Sequence, residues 1–408
     1  MVLKLNFDGL RRLISGLLLA FLAFLLFHEI LHLPEFRTGV SILLGFLVFC
    51  LYCYLVFGEN KVIKLSISGR MSSILLISTY ILSILAVLLI PSTKSHLVFV
   101  DWSTVPWYGI LRAVSSNLLV ILLPGFVILQ IIKGERKLLV VETIVFSYLL
   151  SVFLTSLTSF TVILVDGKLS NYGMPALLAV NASLLLLYSV RQVKEGCGDV
   201  REFRGNIFEA LILLCLVGIV VAVMLLRIPY ARLLPWWDQM THHGYAYNIL
   251  VGGSPPADYP WWYHIFAASY YLLSGLPSVN AAQSLRLLPI FTVLSFYMMA
   301  NALLRDLDPK IPIISTVFAM FAGFGWIYAI HQELTTTISP LTALLKMWSK
   351  TYDMGMSPIF LGPTCRGVSF PAFFSLLYFL KKPCHPEDSK SFIFLVLPAV
   401  SFLNGFMS

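Results

Sequence analysis

The chain has 408 residues, 58% of them hydrophobic and only 12% charged, with a mean hydropathy of +0.86. So few charges over repeated long apolar runs exclude a soluble globular domain and indicate an all-α, polytopic transmembrane protein. The net charge of +8 does not point to nucleic acid, because the Lys and Arg residues stand in short loops between apolar runs.

In chain order the apolar runs predict spans at about 13–27, 40–57, 73–90, 118–132, 138–165, 174–190 and 207–226. After a polar and aromatic interruption come 287–303, 313–330, a weaker run at 370–380, and 392–406, about eleven in all. Lys4, Arg11 and Arg12 precede the first run without a small-residue cleavage site, so that span is read as retained. Cys50 and Cys53 fall inside the second run, where packing is their expected role. The sequon Asn181-Ala182-Ser183 falls inside a span and is expected to be silent. Residues 1–206 read as a six-span N-terminal module and 207–408 as a second membrane unit. The chain stops directly after an apolar run, as expected of a piece of something longer.

The interruption, 235–275, holds most of the polar chemistry. Pro235 suits the first turn of a helix, and Gly252-Gly253 with Pro255-Pro256 suits its end. On that helix Asp238, His242 and Tyr245 fall at i, i+4 and i+7 and share one face. A second helix over 261–274 is closed by Gly275 and Pro277; it spans about 21 Å, short of the roughly 30 Å hydrocarbon core. Both are predicted to lie along the membrane surface as juxtamembrane helices, with Trp and Tyr at headgroup depth.

Charge orients the spans. If the second helix does not cross and the N-terminus is cytoplasmic, 18 of the 28 Lys and Arg residues fall in cytoplasmic loops and 9 outside. The cytoplasmic set includes Lys133, Arg191, Arg201, Arg305, Lys310 and Lys381, while Arg286 opens a span. The central stretch and a second long loop, 331–369, then share the extracytoplasmic face. A carboxylate there, beside histidines and aromatics, suits a general base for an incoming hydroxyl. It equally suits a ligand, with His242 or His243, for a divalent cation such as Mg or Mn. Far from ATP, such a site points to a substrate delivered in the lipid, a sugar on a polyprenyl phosphate. The second loop adds Lys346, Lys350, Asp353 and Arg366, and its cations suit a phosphate leaving group.

Asp238, His242, Ala246, Ile249, Gly252, Tyr259-Pro260, His264 and Gly275, followed by Arg286, form a pattern that resembles the GT-C superfamily of membrane glycosyltransferases. The resemblance covers about 207–408. It implies sugar transfer from a polyprenyl-phosphate donor to a cell-surface lipid, glycan or protein, with membrane lipids as surroundings. It also implies a catalytic or metal-binding role for Asp238, with His242 beside it. Substrate contacts are then expected from His243, His264 and Arg366, the last two at the donor phosphate, with Tyr259, Trp261 and Trp262 shaping the lipid-facing mouth. The six preceding spans depart from the minimal plan of that family.

Two rivals come from other classes. His28-Glu29-Ile30-Leu31-His32 fits H-E-x-x-H, a zinc hydrolase signature, and Asp166 is its nearest candidate third ligand. Leu33-Pro34 ends that helix at once, and a short polar helix end accounts for the motif more simply. A lipid or polysaccharide transporter of flippase type is the other rival. It calls for charges inside spans, which the apolar runs as drawn essentially lack.

Overall fold

The computed structural model of the chain describes residues 7–30, 37–57, 62–67, 69–93, 97–132, 139–195, 201–230, 237–252, 261–321 and 366–381. Within these residues the elements are α1 (Phe7–Ile30), α2 (Arg37–Phe57), β1 (Val62–Ile67), α3 (Gly69–Leu89), α4 (Trp107–Asn117) and α5 (Leu123–Ile132). They continue with α6 (Val140–Asp166), α7 (Leu169–Glu195), β2 (Arg201–Asn206), α8 (Ile207–Tyr230), α9 (Trp237–Val251) and α10 (Trp261–Ser274). The last are α11 (Ser278–Ser284), α12 (Pro289–Leu304), α13 (Ile311–Phe321) and α14 (Arg366–Lys381). The fold is helical apart from β1 and β2, which pair as a two-stranded ribbon that the apolar periodicity had not indicated.

Among the described residues, five helical stretches are long and apolar enough to cross a membrane: Met71–Leu89, Trp107–Ile132, Val140–Asp166, Leu169–Val193 and Ser278–Leu304. Shorter apolar helices cover Arg12–Leu26, Ser41–Phe57, Ile207–Val221, Ile311–Met320 and Val368–Phe379. The expected eleventh span, 392–406, and the loop over 331–365 with Lys346, Lys350 and Asp353 lie outside the described residues.

Two span boundaries differ from expectation for physical reasons. The span expected from 118 runs from Trp107, through a π-turn at Leu118–Leu122. Pro124 has no N–H to give to the preceding turn, and a π-turn just ahead of it lets the helix pass that gap. The span expected from 287 begins at Ser278, so Arg286 sits inside it rather than at its mouth.

The chain divides into two compact units, one from residues 1–65, 203–227 and 304–361, the other from 66–202, 228–303 and 362–408. Each draws on three stretches, so compactness does not follow the chain-order division at 206 and 207. In the first unit the Tyr54 hydroxyl donates to Glu209 Oε1 at 2.6 Å and lies 2.9 Å from the Pro309 carbonyl. These contacts tie α2 and α8 to the turn before α13. Cys50 and Cys53 are buried there, in keeping with the packing role expected of them, and Cys215 is buried as well.

The second unit carries the polar chemistry. Gly125 lets α5 approach α6 so closely that a Cβ would meet the Ser147 carbonyl oxygen at 2.0 Å. Tyr80 donates to Asn181 Oδ1 at 2.8 Å, joining α3 to α7 and burying the sequon asparagine. Glu142 accepts from Leu139 N at the start of α6 (2.9 Å) and from the Tyr378 hydroxyl of α14 (2.7 Å). At the other end of α6, loop residues clamp α11: Asn280 exchanges hydrogen bonds with both backbone groups of Val100 (3.0 and 2.9 Å), and Trp102 Nε1 donates to Gln283 (2.6 Å).

Helix α10 corrects the surface-helix expectation. From Tyr263 to Ser274 it is buried at every position but Leu272, packed among α4, α6, α7 and α9. Its aromatics therefore fill a core. Its C-terminus is held by buried Arg112, whose Nε donates to the Leu273 carbonyl at 2.9 Å and whose NH1 donates to the Ile90 carbonyl beyond α3 at 2.5 Å. A cation at two helix ends satisfies carbonyls that the helices leave open. Gly275, at φ +62°, makes the turn; a Cβ there would sit 2.9 Å from Arg112 Nε.

Candidate functional site

Helices α9 and α10 meet over an apolar patch. Leu169 of α7, Ile249 of α9, and Ile265 and Ala268 of α10 are buried together, backed by Phe160 and Ile163 of α6. This patch fixes α9 in rotation, so the face that bears His242 turns toward α10. His242 Nδ1 and His264 Nε2 lie 2.7 Å apart, and the two rings are 3% and 0% exposed. Tyr245, less than a turn after His242, sets its ring edge-on to His264 at 5.3 Å, and Tyr263 does the same to His242 at 5.9 Å.

A contact this short between two imidazole nitrogens requires one N–H and one lone pair, so the pair holds a single proton between its rings. Removing a proton from one ring and supplying it to the other is then a short-range step. Beside this pair, His243 Nδ1 lies 3.2 Å from the Tyr271 hydroxyl. Burial pushes the His243 imidazole down to about 4 and the Tyr271 phenol well above its usual range. Both are therefore neutral near pH 7, and the bond between them joins two uncharged groups.

The structure thus brings His242 and His264 together between α9 and α10, with His243 of α9 against Tyr271 of α10. Asp238 stands one turn before His242 on the same face of α9, and Arg366 is the first residue of α14. The side chains of both, and Tyr259 altogether, lie outside the described residues. Trp262 faces α6, against Phe153 and Phe160 with ring centres 6.0 Å away in each case. His264, assigned from sequence to the donor phosphate, is instead bonded to His242. Tyr271 was missed, although it follows His264 by seven residues on the same face of α10.

Among the described residues no three His, Cys, Asp or Glu side chains cluster to hold a metal ion. The donors beside the Asp238 position are imidazoles already bonded to one another, whereas Mg and Mn favour oxygen ligands. The Asp238 carboxylate, the oxygen ligand expected for a divalent cation, lies outside the described residues. For the zinc motif, His28 lies on α1 with its ring 5.5 Å from Phe24, and His32 is outside the described residues.

No protein-family model, curated protein or solved structure matches the chain.

Proposed function

We propose that the protein is an integral membrane glycosyltransferase that moves a sugar from a polyprenyl-phosphate donor to a cell-surface acceptor. The observation that carries this reading is the buried His242–His264 pair, one helical turn from Asp238 on α9. Asp238 takes the proton of the acceptor hydroxyl as the new bond to the anomeric carbon forms. The bond from that carbon to the phosphate oxygen breaks, and the polyprenyl phosphate leaves with the electron pair. Attack opposite the leaving group inverts the anomeric carbon. His242 and His264 pass the proton onward from Asp238, which resets the base without a metal ion.

The extracytoplasmic placement rests on the excess of Lys and Arg in the opposite loops. Contacts in the second unit agree with that grouping. Thr93, Val98, Val100 and Trp102 of the loop expected on the site's side meet Gly275, Val279, Asn280 and Gln283, which are expected to share it. Arg191 reaches the Ile131 carbonyl, and both belong to loop ends expected on the other side.

In membranes carrying the full chain, Asp238→Asn should lower sugar transfer about a hundredfold or more while insertion stays normal. His28→Ala should leave transfer unchanged. Normal transfer by Asp238→Asn would overturn the assignment of the base.

A further inference from the structure

We infer that Arg286 is an anion site that takes the phosphate headgroup of a lipid. Arg286 is 2% exposed, and its Nε and both terminal nitrogens have no hydrogen-bond partner among the described residues. It lies within the span Ser278–Leu304, where a bare guanidinium has no water to replace a partner. Buried guanidinium groups persist when they are paired, and Arg112 in the same unit shows the ordinary solution with its two carbonyls. Among the described residues Arg286 has no such arrangement. Thr292, farther along the same span, adds a buried hydroxyl without a described partner.

The surroundings say what arrives. Helix α11, which leads into Arg286, packs on both α9 and α10, the helices that bear the histidines. Tyr270, next to the His243 partner Tyr271, bonds to Asn117 and to Ser284, two residues before Arg286. Arg286 also follows Gln283, clamped by Trp102 at the loop end, by three residues, about 4.5 Å of helix rise. An anion that reaches a guanidinium just inside the end of a span comes most directly on an apolar tail. The planar fork of five donors matches a phosphate through paired hydrogen bonds. The phosphate gains a charge that must otherwise be held by water, and the guanidinium gains its missing partner.

This deepens the transferase reading and rests on it for the lipid's identity, a polyprenyl phosphate. It does not rest on it for the anion.

The test is thermal unfolding of the purified full chain with polyprenyl monophosphate, with the matching polyprenol, and with inorganic phosphate. Wild type should unfold at higher temperature with polyprenyl monophosphate and show no such rise with polyprenol. Arg286→Met should lose that rise, with apparent affinity down about tenfold or more. It should be no less stable than wild type without ligand, because a lone buried charge has been removed. Arg286→Lys should keep part of the rise. Asp238→Asn, inactive in transfer, should keep all of it, so failure of the catalytic assignment and failure of this site are separable. A full rise in Arg286→Met, or no rise in wild type, overturns the site. A ligand-free Arg286→Met clearly less stable than wild type does so too, since it places the guanidinium's partner within the chain. A rise with inorganic phosphate alone overturns the lipid source.

Discussion

In the proposed reaction His242 and His264 act as one unit. Each ring supplies what the other lacks, one a proton and the other a lone pair, at 2.7 Å. Replacing either by Ala removes the whole device, so the double variant should transfer sugar about as slowly as each single one. Additive losses in a double-mutant cycle would show that the rings act separately. His243 makes a different contribution. Its folded value, lowered by burial to about 4, lies below the 6.5 of a free imidazole, so the unfolded chain binds the extra proton more readily between these values. The stability from neutral His243 is complete above about 6.5 and drains away as pH falls toward 4. His243→Gln should flatten that part of the stability profile, as read by unfolding midpoints across the pH range. An unchanged slope in the variant would assign the acid loss to other groups.

At the scale of elements, local pattern was informative where one helix makes its own case. The 261–274 helix and its Gly275 stop stand where the sequence placed them, because Pro260 and Gly275 punctuate it locally. Its burial was not legible. Short length suggested a surface helix, whereas length alone does not report what surrounds it, and α4, α6, α7 and α9 supply the partners. The ribbon was missed for a similar reason. Ile63, Leu65 and Ile67 alternate with Lys64 and Ser66, but the mate Arg201–Asn206 has no strand pattern of its own. The span boundaries at 107 and 278 were hidden by Arg112, Asn280 and Gln283, which read as loop residues until their buried hydrogen bonds are seen. A close approach gives the sharpest element-level prediction. Gly125→Ala forces a Cβ against the Ser147 carbonyl oxygen and should destabilise the second unit by about 1–3 kcal/mol. Unfolding of the purified variant measures it, and an unchanged midpoint would mean that α5 and α6 separate at no cost.

For the whole molecule, composition points to a membrane protein, in keeping with the five described helical stretches long and apolar enough to cross a membrane, and charge supplies an expected grouping of its loops. Neither carries the proposed reaction, which calls on His242 and His264, brought together by α9 and α10 from positions 22 residues apart. The same grouping makes sidedness testable: cysteines introduced at Lys168 and at Arg191 should label from opposite faces of sealed vesicles, with Lys168 outward. Labelling of both from one face would undo the charge-based arrangement. The most direct measurement is donor turnover by the purified chain in proteoliposomes, using a panel of radiolabelled polyprenyl-phosphate sugars with a chelator present. The account predicts that at least one donor gives up its sugar with inversion at the anomeric carbon, that chelation makes no difference, and that Asp238→Asn abolishes the release. No release from any donor by wild type, with or without divalent metal, would contradict it.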